Sequence, residues 1–115
     1  MIVPAAPYPY VEAIITIGTW SIVEFVCLDT GYDGGLIVPA KLVYEVSAEP
    51  DRGPFAMADG AVIRAPFWAG TVEIDDHIFN NIGIAAMGPR FLIGREVLDQ
   101  MTVCFVRGRE VRLEF

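Results

Sequence analysis

Histidine is almost missing from this chain: His77 is the only one in 115 residues. No zinc-finger spacing of Cys and His can be drawn from it. A Ser–His or Cys–His nucleophile pair would have to use His77, which lies in "VEIDDHIFNN", a stretch that reads as a hairpin turn. Cysteine is scarce too. Cys27 and Cys104 each sit inside an apolar run and read as buried free thiols. Basic residues are few: 8 Lys and Arg stand against 15 Asp and Glu, for a net charge of −7. With no Lys/Arg cluster, nucleic acid and anionic membrane surfaces are excluded as partners. No apolar run approaches the ~18 residues of a spanning helix. Met1 to Tyr10 lacks a basic leader, so no secretory signal is expected, and a cytoplasmic location is the expectation.

Strand-forming residues are plentiful. Hydrophobic residues make up 54% of the chain, enough for the core of one domain spanning residues 1–115. Runs of Val, Ile, Phe, Trp and Thr recur between Gly, Pro and Asp. They predict strands at Tyr10–Ile17, Ile22–Leu28, Leu36–Val38, Thr71–Ile74, Ile78–Ala86, Phe91–Ile93, Thr102–Val106 and Glu110–Phe115. Asp59-Gly60, flanked by apolar residues, predicts a hairpin with a type I′ turn. Ser47 to Pro54 reads as a surface loop. Short helices are expected after Pro39 and over Arg95 to Met101. There is also an internal echo. Twice, a hairpin of apolar strands is followed by an apolar strand running into Gly ("CLDTG", then "FLIG") and by a short helical stretch, which hints at two similar halves.

Asp29 is the residue that needs explaining. It ends an almost wholly apolar strand and precedes a glycine-rich bend, Thr30 to Gly35. Four roles compete. The carboxylate can cap the backbone N–H groups of the bend. It can open a calcium loop with Asp33 and Gly34, but the third ligand position falls on Gly31 and the closing Glu position on Ala40. Phosphate binding fails, because the bend lacks G-x-G-x-x-G spacing and opens onto a strand. Fourth, the carboxylate can do acid–base work if it meets a second one. Two carboxylates that share a site cannot both ionise cheaply, so the pair holds an acid and a base at once.

Asp29-Thr30-Gly31 followed by "GLIVP" resembles the active-site loop of retropepsin-like aspartic proteases. "FLIGREVLDQM" resembles that family's second hallmark, and "MADGAVI" lies between the two, where the family carries its flap. The resemblance runs from about Val11 to Phe115. It implies an all-β, closed barrel-like retropepsin (acid protease) fold with one short C-terminal helix. It implies Asp29 as the catalytic carboxylate, Thr30 as a hydroxyl tying two loops together across a two-fold axis, and Gly31 as the point of close backbone approach. Tyr32, Asp33 and the flap tip of Ala58, Asp59 and Gly60 would bind substrate. Gly94 and Arg95 would support the loop, with an Asp33–Arg95 ion pair as brace. Tyr32 departs from retroviral members, which carry a small residue there, and is closer to bacterial single-domain proteins of similar sequence. The flap is also poorer in glycine than retroviral flaps.

No second Asp-Thr-Gly or Asp-Ser-Gly is present. The resemblance therefore implies a homodimer, each chain supplying one Asp29, with the terminal strand "EVRLEF" at the interface. The activity implied is an aspartic endopeptidase that activates water for peptide-bond hydrolysis, with no metal and no cofactor, acting on extended apolar peptides or proteins. The alternative is a catalytically silent dimerisation or peptide-binding module with the same fold.

Overall fold

The computed structural model describes residues 7–115. The described residues are all-β apart from two short helical pieces. The strands are β1 (Tyr10–Ile17), β2 (Trp20–Leu28), β3 (Leu36–Val38), β4 (Asp51–Ala56), β5 (Val62–Ile74), β6 (His77–Ala86), β7 (Leu92–Ile93), β8 (Thr102–Val106) and β9 (Glu110–Glu114). A 3-10 turn covers Ala40–Tyr44, and one α-helix, α1, covers Arg95–Leu98. The helix expected to run to Met101 is thus shorter.

Seven strands form one sheet in the order β1-β2-β7-β3-β6-β5-β4, and β1 also pairs with β5. The two halves hinted at by the echo cross over each other. Short β3 pairs in parallel with β6, the second hairpin's return strand, through Leu36 opposite Ile84. Short β7 does the same with β2, through Cys27 opposite Leu92. The short strands then pair antiparallel with each other, Leu36 opposite Ile93. This crossing brings Leu28, Ile93 and Leu36 side by side, so Asp29 leaves β2 next to the short strand β7.

Alternation in the strands builds the core. Ile15, Ile17, Val26, Leu36, Ile74, Ile82, Ile84 and Ile93 are fully buried, because successive strand side chains point to opposite faces. A smaller cluster of Ala65, Ala85 and Met87, with Ile37, Phe55 and Phe67 packed on it, lies apart from the main one.

Four local expectations are corrected. Asp51 to Pro54 is strand, not loop: it pairs with β5, with Pro54 opposite Arg64. Within the sheet β4 is an edge, where a missing N–H is tolerated, which is how Pro54 fits. The Asp59-Gly60 turn is not type I′. Only Gly60 has positive φ (88°), and Met57 and Ala61 close a three-residue loop. A turn with both central residues at positive φ is instead Asp75-Asp76 (48° and 66°), so His77 is the first residue of β6, opposite Ile74. The cysteines are not both buried: Cys27 is half-buried and Cys104 is exposed. Cys104 lies in β8, which among the described residues pairs with β9 alone in a separate two-stranded sheet. Finally, the apolar face of β9 is used within the chain. Val111 and Leu113 belong to the main core, while Phe115 stays 45% exposed.

Candidate active site

The site is built where β2 ends. The Asp29 N–H donates to the Ile93 carbonyl at 2.9 Å, which extends the β2–β7 ladder by one residue. Its side chain then turns forward: Asp29 Oδ1 accepts the Gly31 N–H at 2.9 Å. Oδ2 has no protein partner among the described residues. The capping role is therefore real, but it occupies one oxygen and leaves the other for chemistry. Asp29 is half-buried, while Thr30 and Gly31 are exposed.

The bend is locked from behind by Ile93 to Glu96. Gly94 N–H donates to the Gly35 carbonyl (2.7 Å), Arg95 N–H to the Tyr32 carbonyl (2.8 Å) and Glu96 N–H to the Gly34 carbonyl (3.0 Å). The Glu96 carboxylate accepts the Gly83 N–H at 3.1 Å. The Thr30–Gly35 bend and the Gly94–Glu96 segment thus bind each other through backbone.

Tyr32 explains two of the glycines. A Cβ at Gly34 would lie 2.3 Å from Tyr32 Oη, and one at Gly94 would lie 2.5 Å from Tyr32 Cδ2 and 2.4 Å from the Gly34 carbonyl. The aromatic ring packs into space that side chains at these positions would fill. Burial, then the nearby Glu96 and Asp33 carboxylates, raise the Tyr32 pKa, so its hydroxyl keeps its proton.

In front of Asp29 opens a cleft of about 450 Å³. Asp29, Gly31 and Tyr32 line one side, Ile37, Met87 and Leu92 are among its apolar walls, and Phe55 to Ala58 of the β4–β5 hairpin overhang it. Of the residues expected to bind substrate, Tyr32 and Ala58 line this cleft. Asp33, Asp59 and Gly60 do not. Asp59 turns back to accept the Ala61 N–H at 2.9 Å, and this braces the hairpin tip. The Asp33–Arg95 ion pair is not formed within the chain. Arg95 Nε instead faces Asp99 Oδ2 at 3.8 Å, one helical turn on.

One polar residue of the cleft escaped the sequence reading. Arg90 follows Gly88-Pro89 in the β6–β7 loop and lines the cleft with Asp29. Its Nη2 donates to Tyr10 Oη at 3.4 Å. That hydrogen bond first, and the Cys27 thiol with it, hold the Arg90 pKa above its ordinary value. The available signal was a lone cation in a Gly-Pro loop just before the second hallmark. Among the described residues no group of three or more His, Cys, Asp or Glu is gathered as a metal site. Among the described residues no helix is long and apolar enough to cross a membrane. No family model matches the chain, and no curated protein matches it.

Proposed function

We propose that this chain is one half of an aspartic endopeptidase with a retropepsin-like, barrel-like fold. The observation that carries the proposal is Asp29 itself. It stands at the end of a core strand, with one carboxylate oxygen held by backbone and the other unengaged, in an apolar cleft beneath a hairpin. The pairing of β1 with both β2 and β5 supports closure of the strands into a barrel.

Two copies related by a two-fold axis bring Asp29 against Asp29 of the partner subunit. One of the pair is ionised and the other protonated. The ionised Asp29 takes a proton from a water as its oxygen bonds to the peptide carbonyl carbon. The protonated Asp29 of the partner subunit gives its proton to the carbonyl oxygen. The tetrahedral diol then breaks its C–N bond as Asp29 gives its proton to the leaving nitrogen and the ionised Asp29 of the partner subunit takes one from a diol hydroxyl, releasing a carboxylic acid and an amine and restoring the singly protonated pair. Thr30 is exposed and has no hydrogen-bond partner among the described residues, as suits a hydroxyl that bonds across the dimer axis. The peptide lies extended in the cleft, beneath the β4–β5 hairpin.

A second reading has its own observation. Tyr32 lines the cleft beside Asp29, and a bulky wall there suits a module that binds peptides without cutting them. Asp29→Asn separates the two. A peptidase loses at least about 10³-fold in turnover while the dimer, measured by sedimentation, persists. If purified wild-type dimer hydrolyses no peptide in a broad library and a statine-type inhibitor does not bind it, the peptidase assignment is wrong.

A further inference from the structure

The cleft is apolar apart from the Tyr32 hydroxyl and two charged side chains. Asp29 is the carboxylate and Arg90 is the cation; the remaining walls include Ile37, Phe55, Met87 and Leu92. A wall of this kind rejects a charged substrate side chain, because desolvating an unpaired charge is costly. Arg90 reverses that for one sign of charge. It has no carboxylate partner among the described residues, unlike Arg95 and Arg112, which face Asp99 and Glu110. A guanidinium carries five N–H donors in a fixed fork suited to a carboxylate. Tyr10 Oη accepts from Nη2 and anchors the fork. The rest of it stays exposed at the cleft wall.

We propose that Arg90 is the specificity-determining residue of the cleft and selects peptides with a Glu or Asp side chain close to the scissile bond. This rests on the peptidase reading for turnover, but not for binding. The long-range field opposes such substrates, since the chain carries −7. Discrimination therefore comes from a local, directed contact, and a Glu/Gln pair of peptides isolates it from the general repulsion.

The test uses peptide pairs differing only in Glu against Gln, with the substitution scanned through positions on both sides of the cleavage point. The wild-type dimer is expected to prefer one Glu peptide in kcat/KM by about five-fold, the size of a partly screened charge contact. Arg90→Leu brings that ratio to about one, whatever the absolute rate. Arg90→Glu turns the preference towards a Lys peptide. The same pairs are titrated by fluorescence anisotropy against Asp29→Asn. If the wild-type dimer shows no turnover but Asp29→Asn still prefers the Glu peptide, the peptidase reading falls and Arg90 recognition stands. Equal kcat/KM or equal affinity for Glu and Gln at every position overturns the Arg90 proposal and leaves the peptidase reading intact. If the wild-type dimer neither cuts nor binds any peptide, both are overturned.

Discussion

At the scale of single residues, Tyr32 and Gly94 act as a pair. The ring occupies space that a Cβ at Gly94 would need, and the nearest obstacles there include the Gly34 carbonyl at 2.4 Å, which is backbone and cannot rotate away. Gly94 has φ −105°, an ordinary value, so sterics alone decide. Gly94→Ala is expected to lower stability by about 2–3 kcal/mol in urea denaturation, the range of core overpacking. Tyr32 makes a separate prediction through its raised pKa. A group whose folded pKa is raised keeps its stabilising effect below its unfolded pKa, here about 10. That effect is lost as pH rises from there through the folded value. Stability should therefore fall on the alkaline side, and Tyr32→Phe should flatten that fall while leaving the curve between pH 6 and 9 with the same slope. An unchanged alkaline limb in Tyr32→Phe would show that other tyrosines cause it.

At the scale of elements, the β4–β5 hairpin borders the cleft, and its tip is built from three small devices. The Met57–Ala61 backbone bond closes the loop, Gly60 takes positive φ, and Asp59 caps Ala61. A Cβ at Gly60 would meet nothing within 4 Å. The cost of Gly60→Ala is then purely conformational, about 1 kcal/mol. Because Met57 and Ala58 line the cleft, the same variant should raise KM for peptides more than it lowers kcat. A variant with unchanged KM would detach the hairpin from substrate binding. Further along the same strand, Trp68 Nε1–H donates to the Ala48 carbonyl at 2.9 Å and holds the Ser47–Pro50 segment down. Trp68→Phe leaves that carbonyl without its donor and should cost about 1–2 kcal/mol, read from the denaturation midpoint.

At the scale of the molecule, the proposed peptidase would need a pair of chains for activity. Turnover per chain should rise with protein concentration and saturate once dimer dominates. The chains repel each other, each carrying −7. Raising salt from about 10 mM to 0.15 M shortens the screening length from about 30 Å to about 8 Å, so dimerisation should tighten. Sedimentation equilibrium at the two salt concentrations measures this directly. Dissociation on adding salt would instead point to an interface held by ion pairs. Val111 and Leu113 on the apolar face of β9 are already packed inside the chain. Phe115, stacked on His77 with ring centroids 4.7 Å apart, remains at the surface.

Local chemistry written along the chain determined a good deal by itself. Alternation of apolar side chains marked most of the strands, because strand periodicity is a property of consecutive residues. The apolar runs into Asp29-Thr30-Gly31 and through "FLIG" could be read as strands ending in a bend for the same reason. What the tertiary structure alone decided is everything that depends on which strands lie side by side. Asp51 to Pro54 becomes strand because β5 offers it a partner along an edge. Arg95 faces Asp99 and not Asp33 because helix geometry sets that distance. Arg90 joins Asp29 because the crossing of β2 with β7 carries the β6–β7 loop to the cleft. Contacts between residues distant in sequence are set by sheet order, and sheet order is chosen by the packing of the whole core, which no single stretch of the chain contains.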